Sequence, residues 1–148
     1  MHAVEMAEEY PVVDLDSDAL DAARLLAERR LPGLVVTDAA GCPRSILPAS
    51  EVVQFLVPGY VRDDPSLAGV LDESMADRVA GKLSGKTVRS LLPDKPAELA
   101  RVQADDTMVE VAAIMARLRC PLVAVMEEKK LLGVISASRL LELALAHH

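Results

Sequence analysis

The feature that most constrains this chain is an internal repeat. Pro32 and Pro121 stand 89 positions apart, and at that spacing the surrounding residues match by type. Ala23 falls on Ala112, Leu25 on Ile114, Leu26 on Met115 and Val36 on Val125. Asp18 and Asp21 fall on Thr107 and Glu110, a Thr-x-x-Glu pair of the kind that caps a helix through its own first turn. Beyond the next turn the first copy is one residue longer and the spacing becomes 88, so Ser45-Ile-Leu-Pro48-Ala-Ser-Glu51 lies on Gly133-Val-Ile-Ser136-Ala-Ser-Arg139. A short unit repeated once, with its apolar pattern kept, calls for two sheets that bury each other.

Within the first copy, Val12–Leu15 is strand-like, and Asp18 begins a helix that runs to about Leu31 with Leu20, Ala23, Leu26 and Ala27 on one face. Pro32-Gly33 stops that helix. Strands follow at Leu34–Thr37 and Ser45–Leu47, around turn residues Asp38–Pro43, and then a helix over Glu51–Val57 closed by Pro58-Gly59. In the second copy, Leu122–Met126 and Leu131–Ile135 have strand length and flank the charged turn Glu127–Lys130. Ser136 can cap the helix carrying Leu140, Leu141 and Leu145. Met1–Pro11 is an acidic lead-in with Val4 and Met6 as its packing residues, and Thr87–Leu92 leads into the second copy in the same manner. Between the copies, Leu67, Leu71, Met75, Val79 and Leu83 are spaced by four, the apolar stripe of a connecting helix that starts at Asp64-Pro65-Ser66 and ends at a joint, Ser84-Gly85-Lys86. The organisation is a first unit at 1–60, a connecting helix and linker at 61–85, and a second unit at 86–148.

Composition narrows the function. The chain is 51% apolar but has one Phe, two Tyr and no Trp, so the core is aliphatic and a bound ring would lie against Val, Ile and Leu. A formal charge of -7 argues against nucleic acid and gives no help at an anionic membrane surface. No apolar run approaches the ~20 residues of a bilayer span, and Met1–Glu5 lacks the basic start of a signal peptide. A soluble cytoplasmic protein, without direct membrane insertion, is the expectation. Cys42 and Cys120 are too far apart for a metal knuckle or a redox pair and read as buried or half-buried thiols. His2, His147 and His148 lie at the ends, which leaves the body without a histidine general base. The His147-His148 pair reads as a frayed tail rather than a metal site. Asp14, Asp16 and Asp18 lack the glycine and distal Glu of a calcium loop, and Gly81–Lys86 lacks the phosphate-loop pattern. No catalytic residue and no metal site is assigned, and a non-enzyme is expected.

The duplicated β-α-β-β-α unit has a proline opening its second strand, and its third strand runs into a Gly-x-x-Ser/Thr-x-x-polar helix start. In these features the chain resembles the CBS domain pair, or Bateman module, from about Ala3 to Leu145. The resemblance implies an α+β chain (α/β-type units) forming a tandem CBS pair, two pseudo-symmetric units with two clefts between them, usually paired as a disc-like homodimer. It also implies adenosine nucleotide ligands such as AMP, ADP, ATP or S-adenosylmethionine, with no covalent cofactor. In the family's Gly-x-x-Thr/Ser-x-x-Asp motif the hydroxyl caps the helix and helps hold phosphate, while the Asp accepts from the ribose diol.

The match is partial in both copies. The second has Gly133, Ser136 and Ser138, but Arg139 stands at the Asp position, where a guanidinium can only donate and prefers phosphate. A cation there opposes the helix dipole unless an anion sits beside it or Arg139 folds back onto an acidic neighbour. The first copy has Ser45 for the glycine and Pro48 for the hydroxyl, but keeps Ser50 and offers Glu51 for the diol. The expected phosphate site is therefore Gly133, Ser136, Ser138 and Arg139, with Ser50 and Glu51 as the weaker second site. Two functions follow: a stand-alone regulatory module that senses a nucleotide and modulates a transporter, channel or enzyme, or a ligand-free dimerisation and docking module with degenerate sites.

Overall fold

The computed structural model of the chain describes residues 1–57, 64, 66, 81–93 and 98–146. Its elements in chain order are α1 (Ala3–Met6), β1 (Val12–Asp14), α2 (Ala19–Glu28), β2 (Gly33–Thr37), β3 (Pro43–Pro48), α3 (Ala49–Leu56), α4 (Val88–Leu91), β4 (Arg101–Gln103), α5 (Met108–Leu118), β5 (Leu122–Glu127), β6 (Lys130–Ser136) and α6 (Ala137–Leu145). Most of the connecting helix expected over 67–83, and Pro58-Gly59, lie outside the described residues.

Each copy forms a three-stranded sheet with the apolar run after its proline in the middle. β2 pairs parallel with β1 and antiparallel with β3; β5 pairs in the same two ways with β4 and β6. The parallel pairs need crossovers, which α2 and α5 supply. Side chains of a strand alternate between faces, and that alternation divides the core. Leu34, Val36 and Leu47 turn to the first unit's helices, and Val123, Val125 and Ile135 to those of the second. The opposite faces contribute Val35, Leu122 and Val134, with Ile46, Leu131 and Tyr10 beside them, to a shared layer between the units. Gly33 meets its own repeat partner there: a Cβ on Gly33 would stand 3.3 Å from Leu122 Cδ1 and 2.9 Å from the Leu47 carbonyl oxygen. One copy supplies the bulk and the other leaves room for it.

The repeat extends to single hydrogen bonds. Ala49 N–H donates to Pro32 O and Ala137 N–H to Pro121 O, both at 2.9 Å. Both crossover helices close on an arginine in the left-handed region, Arg30 at φ 52° and Arg119 at φ 50°. That turn ends α2 at Glu28, short of the expected Leu31, and its buried face is Ala19, Ala22 and Leu26, with Ala27 exposed. Asp18 is the N-cap of α2 but makes no side-chain cap bond; Ala19 N–H instead donates to Lys86 O at 2.9 Å. In the second copy the Thr107 hydroxyl accepts from Glu110 N–H at 3.3 Å, as the Thr-x-x-Glu spacing predicts.

The lead-ins are exchanged. α1 sits on the second unit, with Ala3 and Val4 N–H donating to Asp106 O and Ala104 O at 2.8 and 3.0 Å. α4 sits on the first unit, with Val88 and Arg89 N–H donating to Ser17 O and Leu15 O at 2.9 and 3.0 Å. Ala3 and Met6 are wholly buried among Val102, Val111 and Val125, while Val88, Leu91 and Leu83 complete the core around Leu26 and Leu34. Met6 packs as expected, but Val4 points to solvent, because a single helical turn buries its first and fourth residues here.

Candidate functional site

The repeat creates two equivalent clefts, each floored by the first half of a third strand and walled by the lead-in that precedes the other unit in sequence. Their chemistry diverges because of what crosses the floor. In the second copy, Glu8 and Val134 exchange two backbone hydrogen bonds at 2.9 Å each. The lead-in then passes directly over Gly133, where a Cβ would lie 2.9 Å from both Ala7 Cβ and Glu8 O. Glycine is required there by the crossing chain. A cavity of about 470 Å³ remains beside it, lined by Gly133, Leu131, Tyr10, Glu9 and Arg29. Burial, helped by the charge of Glu8 and opposed by Arg29, raises the Tyr10 phenol above its ordinary pKa, so the ring is a neutral wall.

The two serines expected to hold phosphate in this copy are engaged with each other and with the start of α6. Ser136 Oγ caps α6 by accepting from Arg139 N–H at 3.1 Å and lies 3.2 Å from Ser138 Oγ. Ser138 itself is exposed. Arg139 folds back between Glu8, at 3.9 Å, and Glu142, at 3.6 Å, which offsets its unfavourable place in the first turn of α6. Neither carboxylate lies within hydrogen-bond distance, and Arg139 Nε is buried with no hydrogen-bond partner among the described residues. Gly133 lines the cavity; Ser136, Ser138 and Arg139 do not.

Among the described residues, the first copy is not crossed as the second is. Counting from the one-turn helices α1 and α4, the counterpart of Glu8 is Pro93, which has no N–H to donate. No backbone bond joins Pro93 to Ile46, the counterpart of Val134, among the described residues. Ser45 therefore fits at the position that must be glycine in the other copy. A cavity of about 670 Å³ opens over it, lined by Leu15, Pro43, Arg44, Arg89 and Arg101. A second space of about 150 Å³ continues inward past Ser45 to Pro48, Glu51 and Cys120.

Two unmet hydrogen-bonding demands face this cleft. Ser45 is 5% exposed, and its hydroxyl oxygen has no protein partner. A buried hydroxyl left so costs about 1–3 kcal/mol relative to a bonded one. Pro48, as N-cap, gives α3 no side-chain cap; Ala49 N–H is taken by Pro32 O, which leaves the Ser50 and Glu51 amides of its first turn to an anion. Glu51 borders the same inner space, while Ser50 is exposed and lies outside it. The Cys120 thiol is pushed above its usual pKa, chiefly by burial with a smaller opposing backbone hydrogen bond at Leu122, which keeps it protonated and a poor nucleophile. At the wider end Arg44 stands 4.0 Å from Asp38 and Arg89 3.4 Å from Asp16. Arg101 makes no ion pair among the described residues.

Of the sequence-derived candidates, Glu51 and Gly133 face clefts, one in each copy, and the other four do not. Ser45, Arg44, Arg89, Arg101 and Tyr10 were not singled out as site residues. The alignment of Ser45 with Gly133 held the clue for one of them. Arg89 arrives from the exchanged lead-in, which the order of the units along the sequence conceals.

Two units of this topology, joined across a shared apolar layer and completed by each other's lead-ins, form one paired body rather than two separate domains. The sequence profile of the CBS domain matches residues 2–58 and 88–146, and the chain belongs to that family as a tandem CBS pair. It is similar to a CBS domain-containing protein of unknown function from Kribbella flavida, at 67% identity over 97% of this chain and 98% of that one, with a TM-score of 0.85. The fold is also that of CBSX2, solved in complex with AMP, at 17% identity over 99% and 97% of the two chains and a TM-score of 0.69. The CBS-domain protein ATU1752 from Agrobacterium tumefaciens shares it at 21% identity over 97% and 93%, with a TM-score of 0.68. None of the curated proteins compared matches the chain.

Proposed function

We propose that this chain is a non-catalytic regulatory module that binds an adenine nucleotide in the Ser45 cleft and alters a partner protein, a transporter, channel or enzyme. The observation that carries this reading is the buried, unpartnered Ser45 hydroxyl facing the same space as the uncapped start of α3. The open amides suit a phosphate, and the two carboxylate oxygens of Glu51 suit a ribose diol. Leu15 and Pro43 offer an apolar wall to a base. The AMP complex of CBSX2, a protein of the same fold, supports the choice of ligand class. Binding would influence a partner only through different affinity for two shapes of the module, the expected form being a cytoplasmic homodimer.

A second reading, a docking module without ligand, draws on the Ser136 hydroxyl, engaged as the cap of α6, and on Arg139 lying between Glu8 and Glu142. Thermal unfolding with AMP, ADP, ATP, S-adenosylmethionine and NADH separates the two. A ligand at 100 times its Kd adds about 2.7 kcal/mol, or roughly 5–10 °C in a chain of this size. Glu51→Ala should remove most of that shift, and Arg139→Ala should not. No shift with any of the five leaves the docking module.

A further inference from the structure

We infer that Arg119 is a ligand-contacting residue held at the expense of stability, and that through it the second unit grips whatever occupies the Ser45 cleft. This rests on reading that cleft as a nucleotide site. Arg119 ends α5 at φ 50° and ψ 41°, in the left-handed region where a Cβ crowds the following carbonyl and glycine is the usual occupant. Arg30 ends α2 in the same way, at φ 52°. Both turns close with the same long bond: Leu31 N–H donates to Leu26 O at 3.0 Å, and Cys120 N–H to Met115 O at 3.3 Å. Glycine would form either turn with less strain. The backbone gains nothing from arginine at these two places, so what arginine adds must come from its side chain.

The two side chains have different surroundings. Arg30 lines neither the Ser45 cleft nor the cavity beside Gly133, whereas Arg119 borders the inner space of about 150 Å³. The first unit gives that space Ser45, Pro48 and Glu51, and the end of α5 gives it Leu118, Arg119 and Cys120. A ligand seated there is held from both units at once. Of the described residues lining the space, Glu51 and Glu98 are anionic and Arg119 alone is cationic. A phosphate on the Ser50 and Glu51 amides would meet both carboxylates, and a guanidinium facing it offsets them through paired, charge-assisted hydrogen bonds. Arg119 is exposed and makes no ion pair among the described residues, so it can turn to an anion without first leaving a carboxylate.

The test compares Arg119→Gly, Arg119→Asn and Arg30→Gly with the native chain, by thermal unfolding without ligand and by titration calorimetry with AMP, ADP and ATP. Asparagine accepts the left-handed turn but carries no charge, so it separates loss of the guanidinium from loosening of the backbone by glycine. Both glycine variants should melt about 1–5 °C above the native chain. Both Arg119 variants should bind the tightest of the three nucleotides at least about tenfold more weakly, the range of one charge-assisted contact, and Arg30→Gly should stay within about twofold of native. Unchanged binding in the two Arg119 variants overturns the inference and leaves the nucleotide reading standing. Equal weakening in Arg30→Gly does the same, because it would place the effect in the turn and not in the cleft. A lower Tm in Arg119→Gly overturns the exchange of stability for binding. A native chain that binds none of the three nucleotides overturns the nucleotide reading and the inference together.

Discussion

Gly133 and Ser45 occupy the same place in the repeat, yet the structure predicts opposite consequences for altering them. In Gly133→Ala the added methyl would stand 2.9 Å from Ala7 Cβ and 2.9 Å from the Glu8 carbonyl oxygen, neither at the end of a flexible side chain. The protein then has two ways to respond. It can keep the lead-in seated and absorb the overpacking, at about 1–3 kcal/mol. It can instead let the lead-in rise, losing the two Glu8–Val134 hydrogen bonds at about 0.5–1.5 kcal/mol each and part of the Met6 burial, about 1.5–3 kcal/mol when complete. The cheaper route sets the result, so the expected loss is about 1–3 kcal/mol, or roughly 2–12 °C in Tm. Ser45→Ala removes a hydroxyl that has no partner, and its cost should stay under about 1 kcal/mol. Urea unfolding of both variants, with amide exchange at Glu8 and Val134, gives the comparison. Gly133→Ala within about 0.5 kcal/mol of the native chain, or Ser45→Ala as damaging as Gly133→Ala, would refute the account of why one cleft is crossed and the other open.

Met6→Ala should cost about 2–5 kcal/mol by denaturant unfolding, because the side chain is wholly buried in the second unit's core although it lies at the opposite end of the sequence. Ser136→Ala removes the α6 cap and should cost about 1 kcal/mol, whereas Arg139→Ala breaks only long, partly exposed ion pairs and should cost less than about 1 kcal/mol; the reverse order in thermal melts would show that Arg139 holds the segment. Tyr10 and Cys120 both hold their protons more tightly folded than unfolded, so their contribution to stability is complete below the unfolded thiol and phenol pKa values and is lost as pH rises through and beyond them. Unfolding followed from pH 7 into alkali should show that fall, and Cys120→Ala/Tyr10→Phe should flatten it.

Fold was far more legible in the sequence than site. The proline spacing, the Thr107–Glu110 cap and the alternating apolar runs are local signals, and they specified the order of strands and helices in both copies. The helix ends were less clear, since nothing in Arg29-Arg30 announces a left-handed turn as glycine would. Ser136 was rightly read as a cap, and that role leaves its hydroxyl engaged with Arg139 N–H rather than turned to a ligand. The open cleft depended on contacts between distant residues: Pro93 failing to pair where Glu8 pairs, and Arg89 delivered by a lead-in seated on the other unit. Motif spacing within one copy contains neither fact.

The exchange of lead-ins also sets an order of events during synthesis. Ala3 and Met6 leave the ribosome long before Asp106 and Val134, the residues that receive the α1–Glu8 stretch. At the usual ~5–20 residues per second the wait is on the order of ten seconds. For the first part of that interval, until Val88 and Leu91 emerge, the first unit's own core cannot close either. The second unit's core has no such early stage at which it can close, since it needs residues from both ends of the sequence. The nascent chain reaches its native packing only when nearly all of it is outside the exit tunnel, and an apolar Met6 must stay soluble until then.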